Sequence, residues 1–224
     1  MRGMEGGHME EIGIASIKRA MQVVCSVMIE EKETLTEIDS KLGDGDMGLS
    51  MEKGGLAVSR LLDEETFSGI GEMFMACASA FNRAAPSTLG TLISFGLLAA
   101  AKQTMGRKSL EAEQVIQIPH TMAEMIAQRG KASVGDKTIL DALVPFADTL
   151  ILSYNRSKDP LAAMGEAALA AEKGMESTKG MAAKTGRAKW LDGRNREYPD
   201  AGAMLCVMAV RRLCGRLEGG GEAE

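Results

Sequence analysis

Several features common in proteins are missing from this 224-residue chain, and each absence excludes a class of protein. The longest apolar run, around residues 89–101, is too short and too rich in small side chains to span a bilayer. Residues 1–9 lack the apolar segment of a secretory signal. The net charge is −5, and no Lys/Arg-rich tract offsets it, which argues against a general nucleic-acid binder. We therefore expect a cytoplasmic protein that binds neither membranes nor nucleic acid.

Cysteine, histidine and the common nucleotide motifs are also scarce or missing. The four cysteines show no C-x-x-C spacing, so reduced thiols are expected. The two histidines, His8 and His120, do not neighbour any motif. The chain has no G-x-x-x-x-G-K-[ST] and no strand-linked G-x-G-x-x-G, which excludes a P-loop and a Rossmann site. Aromatic residues make up only 4%, whereas the 17 methionines supply flexible apolar side chains for helix cores.

Helical patterns dominate what is present, and no convincing period-two strand is found. Residues 9–32 carry apolar side chains at three- and four-residue steps, and Asp159-Pro160 is a strong helix start. The predicted helices span about 9–32, 48–62, 67–83, 88–103, 110–129, 136–154, 160–179 and 201–216. Ser87 or Thr88 is the expected N-cap of the fourth helix and Asp136 that of the sixth. The sequence thus predicts an all-α, up-and-down assembly in one domain, with a core at about 9–217 and disordered tails at 1–8 and 218–224.

Residues 37–51 are the most informative stretch, because Asp39, Asp44 and Asp46 lie there within eight residues and are interleaved with glycines. Glycine permits sharp turns, so three carboxylates can meet at one point. Hard oxygen ligands suit Mg²⁺ or Ca²⁺ rather than zinc. The spacing is not that of an EF-hand. An ordinary solvated turn is the alternative interpretation, since Asp and Gly are common turn residues.

Four short segments together carry a resemblance to a known family. They are Asp-x4-Asp-Gly-Asp-x-Gly at 39–48, Leu-Gly-Thr at 89–91, Gly-Lys, Gly-Asp-Lys-Thr and Asp-Ala within 130–142, and Gly-Arg-Ala at 186–188 with Asp-Ala-Gly at 200–202. In this order they resemble the nucleotide-binding (L) subunit of dihydroxyacetone kinases, the DAK2-domain family. The resemblance covers nearly the whole chain. It implies an antiparallel eight-helix α-barrel with a nucleotide site at one end.

The resemblance also implies roles for individual residues. Asp39, Asp44 and Asp46 would bind two Mg²⁺ ions that hold the phosphates of ADP or ATP. The implied nucleotide contacts are Met47, Gly48, Leu49, Ser50, Ala84, Ala85, Ser87, Thr88, Gly130, Ile139, Arg187, Asp200, Ala201 and Gly202. Within this set, Ile139 would pack on the base and Arg187 would contact phosphate through its planar fork.

The chain departs from the family's pattern in two places. Met47 stands where the family often has His or Thr, so only backbone contacts are expected there. Residues 83–88 replace a Gly-Gly-x-Ser-Gly-Pro-like loop, and Ala85 stands where a phosphate-contacting Ser is expected. Ser87 and Thr88, at a helix start, would then take over the phosphate contacts. The arginine that opens this segment either adds charge there or faces solvent.

In the family, the sugar is bound covalently to a histidine of a separate K subunit, and this chain has no candidate for that role. The resemblance therefore implies a kinase subunit, expected as a homodimer, that passes a phosphoryl group to a small keto-sugar on a K-type partner. Recharging of bound ADP by a phosphotransferase-system protein and free exchange of ATP both remain open. Three alternatives remain: a regulatory nucleotide-binding module that acts through a partner without transfer, a fatty-acid-kinase-like nucleotide domain, and a structural Ca²⁺ loop.

Overall fold

The computed structural model describes residues 11–185 and 196–219. Arg187, the predicted tail at 1–8 and residues 220–224 of the tail predicted at 218–224 lie outside these ranges, whereas residues 218 and 219 belong to the last helix. Within them the chain forms ten helices and two short strands. These are β1 (Ile12–Gly13), α1 (Ile14–Glu30), α2 (Lys32–Leu42), α3 (Met47–Glu64), α4 (Ile70–Ala84), α5 (Thr88–Gln103), β2 (Ser109–Leu110), α6 (Ala112–Val115), α7 (Ile118–Gly130), α8 (Leu140–Ser157), α9 (Pro160–Ser177) and α10 (Ala201–Gly219). The strands β1 and β2 pair antiparallel.

Eight of these helices form a closed ring. Each of α1, α3, α4, α5, α7, α8, α9 and α10 packs on the next in this order, and α10 packs back on α1. Neighbours run antiparallel: Gln22 near the middle of α1 bonds Asp63 near the end of α3, whereas Cys25 lies beside Gly55. An ion pair between Arg212 and Glu30, at 2.7 Å, joins α10 to α1. The predicted all-α, eight-helix antiparallel barrel is thus confirmed.

The predicted first helix is wrong in its bounds, because the chain divides there into two helices. Residues 12 and 13 form the strand β1 before α1 begins. The backbone then leaves the helical conformation at Glu31, where ψ is 16°. The helix that follows, α2, was not predicted at all. Its apolar face consists of Leu35, Ile38 and Leu42, and the spacing of three and four residues is helical. Residues 32–42 are few and mostly polar, so three apolar side chains were not enough to predict a helix there.

The predicted fifth helix, at 110–129, is also divided. Ser109 and Leu110 pair with β1, α6 is a single turn, and α7 begins at Ile118. Pro119 lies in the first turn of α7, where its missing N–H costs nothing, whereas a continuous helix across it would lose a hydrogen bond. The proline therefore marks a helix start that the apolar pattern alone did not reveal.

Aliphatic residues, alanine and methionine fill the core. The buried methionines are Met28, Met47, Met51, Met73 and Met175. Their flexible side chains pack in a core with few aromatic rings, of which Phe74, Phe81, Phe146 and Tyr154 are buried. Among the described helices, none is both long and apolar enough to cross a membrane.

Candidate metal and nucleotide site

The antiparallel ring brings the predicted site residues to one end of the barrel. Alternate connections of such a ring lie at the same end, and here these are the α2–α3, α4–α5, α7–α8 and α9–α10 connections. Each predicted site residue within the described ranges lies in one of these connections or in the adjoining helical turn. The helices α3, α5, α8 and α10 all begin at this end. Their N-termini therefore present unpaired N–H groups and partial positive charge there, which favours an anion.

The three aspartates meet as predicted. One carboxylate oxygen from each of Asp39, Asp44 and Asp46 lies within 4.8 Å of the others. Asp39 is half-buried in the last turn of α2, and the other two are exposed. Two ligands of one Mg²⁺ ion lie at most about 4.2 Å apart, because each Mg–O distance is about 2.1 Å. The oxygen-only donor set and its spacing therefore fit Mg²⁺ after a small contraction.

Backbone geometry explains why the cluster forms. Gly45, with φ of 74°, adopts a left-handed conformation that lets the loop reverse between α2 and α3. Asp39 accepts a hydrogen bond from the N–H of Met47 at 3.1 Å, which links the end of α2 to the start of α3. At Gly48 the two helices almost touch, since an added Cβ would lie 2.1 Å from the carbonyl oxygen of Lys32. The loop is therefore held at both of its ends.

The first turn of α3 offers backbone groups rather than a side chain at its leading position. The Met47 side chain is only 7% exposed and packs in the core beneath the cluster. Its N–H is taken by Asp39, and the N–H of Ser50 bonds the carbonyl of Asp46. The α3 helix itself leaves the N–H groups of Gly48 and Leu49 unpaired. These two groups lie next to the carboxylates.

The start of α5 is capped as predicted, by Ser87 rather than Thr88. The Ser87 hydroxyl accepts a hydrogen bond from the N–H of Gly90 at 3.1 Å. It still has its own proton to donate, and the first helical residue, Thr88, is exposed. Ala85 is completely buried, and Ala84 is half-buried. Ala85 therefore shapes the turn from beneath and presents no surface to a ligand in this conformation.

Arg83 does not extend towards the start of α5. Its guanidinium donates to the hydroxyl of Ser79, one turn back along α4, at 2.7 Å. The side chain is exposed. Of the two interpretations of this arginine, the structure favours the one in which it faces solvent.

The turn before α8 differs from the prediction, because Asp136 does not cap this helix. Asp136 accepts from the N–H of Ser133 at 2.8 Å and from Lys184 at 2.8 Å, and these contacts keep the pKa of its carboxyl below its ordinary value. Asp141, inside α8 and 1% exposed, reaches back instead. Its carboxylate accepts from the N–H groups of Gly135 at 2.6 Å and Thr138 at 2.7 Å. The turn that Asp141 stabilises occupies residues 135–138, so α8 begins after it, at Leu140.

The start of α10 lies at the same end of the barrel, next to α2 and α9. Asp200 caps this helix, accepting from the N–H of Ala203 at 2.8 Å. Burial raises the pKa of its carboxyl to about 7, and the neighbouring Asp141 adds to the rise. Gly202 lies against Ile139, since an added Cβ would lie 3.1 Å from the Cβ of Ile139. Gly130 ends α7 nearby and contacts Leu92 of α5.

Sequence reasoning missed the residues that join these segments. Lys137 is 3% exposed, and its ammonium donates to the carbonyls of Thr178 and Tyr198. The ring of Tyr198 lies under the ammonium of Lys41, 5.0 Å from the centroid, at the end of the helix that carries Asp39. The Gly-Asp-Lys-Thr segment enters the sequence prediction only through its resemblance to the family. The three-residue interval between Thr138 and Asp141 is the signal that would have revealed the turn.

Comparison with known proteins identifies what this arrangement is similar to. The sequence model of the DAK2 domain matches residues 41–215. The ADP-binding subunit DhaL of the PEP-dependent dihydroxyacetone kinase of Escherichia coli K12 is 31% identical over 183 residues, which are 82% of this chain and 87% of that subunit. The L-erythrulose kinase of Pectobacterium atrosepticum is 28% identical over 87% of this chain, which spans only 33% of that enzyme.

A solved structure has the same fold. The dihydroxyacetone kinase of C. freundii, in complex with AMP-PNP and Mg²⁺, matches with a TM-score of 0.70. The match covers 96% of this chain and 36% of that one, at 21% identity. At this identity the match supports the eight-helix fold and no finer point.

Proposed function

Because the chain belongs to the DAK2-domain family, we propose that it is the Mg-nucleotide-binding subunit of a dihydroxyacetone-type kinase. It holds ATP, or ADP that is recharged, and passes a phosphoryl group to a small keto-sugar on a separate K-type subunit. The observation that carries the proposal is the meeting of Asp39, Asp44 and Asp46 within 4.8 Å, at the end of the barrel where α3 and α5 begin. Phosphoryl transfer depends mainly on positioning and charge neutralisation, which is what such a site supplies.

The three aspartates would hold two Mg²⁺ ions. When bound, magnesium neutralises phosphate charge and orients the transferred group. The protein's own part is to keep three carboxylates close together although they repel one another. The hydrogen bond from Met47 to Asp39 and the turn at Gly45 contribute to this.

The phosphates would lie between the starts of α3 and α5. The N–H groups of Gly48 and Leu49 and the hydroxyls of Ser87 and Thr88 are the donors at this position, alongside the partial positive charge of two helix N-termini. Ser50 adds a half-exposed hydroxyl in the same turn. Ser87 and Thr88 thus take the place of the serine that is missing at position 85.

The nucleoside would lie towards the starts of α8 and α10. Ile139 offers an apolar surface for the base, and Gly202 lets the α10 backbone approach it closely. We assign Gly130, at the end of α7, and Ala201, at the start of α10, to the same contact. We also assign Arg187, outside the described residues, to the phosphates, because its segment joins α9 to α10.

The sugar would be held elsewhere. His120, on the outer face of α7, contacts Asp148 at 3.2 Å and Glu124 at 3.5 Å, so it is tied to carboxylates away from the site end. We therefore assign the covalent sugar–histidine link to the K-type partner. In the transfer, the bond between the γ-phosphorus and its bridging oxygen breaks to leave ADP. A new bond forms to the sugar hydroxyl oxygen, and the hydroxyl proton is released.

The test is calorimetric titration of metal-stripped protein with ADP and with ATP, each with and without Mg²⁺. We expect binding that requires Mg²⁺, and stabilisation by about 2.7 kcal/mol when the nucleotide is at 100 times its Kd. A K-type subunit and dihydroxyacetone are then added, and sugar phosphate is measured. Binding without transfer would identify a regulatory module instead. Metal binding that is indifferent to nucleotide would identify a structural Ca²⁺ loop.

A further inference from the structure

Lys137 is buried in the turn before α8, although lysine is rarely buried unless its charge is paired. It is 3% exposed and adopts a left-handed conformation with φ of 61°. A non-glycine residue in this conformation costs free energy, which the surrounding contacts must offset. Burial lowers the pKa of its ammonium, and the nearby Asp200 carboxylate opposes this effect. These features indicate that contacts with the rest of the protein hold the Lys137 side chain in this unfavourable position.

The ammonium joins two distant points of the chain. It donates to the carbonyl of Thr178 at 3.1 Å and to that of Tyr198 at 2.7 Å. These carbonyls lie just after α9 and just before α10. The N–H of Gly180 also bonds the carbonyl of Arg196 at 2.7 Å, so the two ends of the α9–α10 connection run side by side. Lys137 ties both ends to the start of α8.

Both points lead directly into the candidate site. The hydroxyl oxygen of Thr178 accepts from the N–H of Asp200 at 2.8 Å, which fixes where α10 begins. Tyr198 carries its ring to Lys41 on the last turn of α2, two residues from Asp39. Contacts of Lys137 therefore lead on one side to the first turn of α10 and on the other to the helix that presents a metal ligand.

We propose that Lys137 is a positioning residue of the Mg-nucleotide site, which sets the first turn of α10 against α8 and, through Tyr198, against the end of α2. This inference rests on the proposed nucleotide function. An ammonium has three donors, and a backbone carbonyl is an acceptor that a side chain such as Met cannot satisfy. Loss of this donor costs free energy and loosens the turn, although the carbonyl of Thr178 keeps the N–H of Met181 at 3.2 Å.

The experiment compares Lys137→Met and Lys137→Arg with the wild type. Lys158→Met is the matched control, because Lys158 also has positive φ, at 56°, but lies exposed at the other end of α8. Mg-ADP affinity is measured by calorimetry at a temperature where circular dichroism shows each variant fully folded. Amide hydrogen exchange of residues 200–204 and of 39–47 is measured without nucleotide.

We expect Lys137→Met to weaken Mg-ADP binding by on the order of tenfold or more, as loss of a ligand-orienting contact does. Exchange at 200–204 should become faster, Lys137→Arg should bind closer to the wild type, and Lys158→Met should match the wild type. A folded Lys137→Met that binds and exchanges like the wild type would overturn the inference while the proposed function stands. Wild-type protein that fails to bind Mg-nucleotide would instead refute the proposed function. The exchange data would then still decide whether Lys137 positions α10.

Discussion

The carboxylate of Asp39, on the last turn of α2, accepts a hydrogen bond from the N–H of Met47, the first residue of α3, at 3.1 Å. One side chain thus caps a helix eight residues ahead and belongs to the three-aspartate cluster. The N-cap of α3 itself, Asp46, makes no side-chain capping bond of this kind. Asp39 therefore both caps α3 and belongs to the cluster, whereas Asp46 belongs to the cluster without capping the helix. Of the three aspartates, Asp39 is the one with a structural role.

This structural role predicts that Asp39→Ala and Asp39→Asn differ in stability but not in ligand binding. Both should lose Mg-dependent nucleotide binding, because each removes a charged ligand. Asp39→Ala should also lower the free energy of unfolding by about 1 kcal/mol, the usual cost of a lost helix cap, whereas Asn keeps an acceptor for the N–H of Met47. Urea unfolding and calorimetric titration measure the two effects. Equal stability of the two variants would contradict the capping role.

Asp44 and Asp46 are exposed, so their loss should affect binding and leave the fold intact. We expect Asp44→Ala or Asp46→Ala to abolish detectable Mg-dependent binding of ADP while helicity by circular dichroism is unchanged. Glu64→Ala is the matched control, because it removes one negative charge from the exposed far end of α3. Unchanged binding in both aspartate variants would remove the cluster from the mechanism.

The convergence of the site residues could not be read from the chain alone. Periodicity identifies helices one at a time, and the order in which they pack depends on contacts such as Arg212 with Glu30, which are 182 residues apart. Once the ring is antiparallel, however, alternate connections must share an end. The Asp cluster was predictable because its three members are close in sequence and glycine permits the turn at position 45.

Buried polar contacts were the least predictable part. Lys137 follows an aspartate in a polar turn, and such a lysine is ordinarily a solvated side chain. Asp136 has the position and chemistry of a helix cap, yet Asp141 satisfies the turn from inside α8. The burial of Lys137 depends on where the carbonyls of Thr178 and Tyr198 lie. That information belongs to the tertiary structure.

Ser87 and Thr88 should separate stability from affinity at the start of α5. Ser87→Ala removes the bond from the N–H of Gly90 and should lower the free energy of unfolding by about 1 kcal/mol, in addition to weakening nucleotide binding. Thr88→Ala, at an exposed position, should weaken binding with little effect on unfolding. Thermal unfolding and Mg-ADP titration of both variants provide the test. If neither variant alters affinity, the phosphates are bound elsewhere.

Asp200 predicts a pH-dependent component of stability. Its carboxyl has a pKa of about 7 in the folded protein against an ordinary value of 3.8, because burial disfavours the charged form. Between these values the unfolded chain releases a proton that the folded protein retains, so this group's contribution to the free energy of unfolding falls as the pH rises. Below about pH 4 both states are protonated, and above about pH 7 both are ionised, so the contribution is constant outside this window.

The variant Asp200→Asn isolates this effect, because Asn also caps a helix but does not titrate. We expect the free energy of unfolding of the variant, minus that of the wild type, to increase from pH 4.5 to pH 7 and then to level off. Urea unfolding at a series of pH values, at constant ionic strength, measures the difference. A difference that is flat with pH would mean that Asp200 keeps an ordinary pKa, with Lys137 compensating its burial. A difference that decreases would mean that the charged carboxylate is the stabilised form.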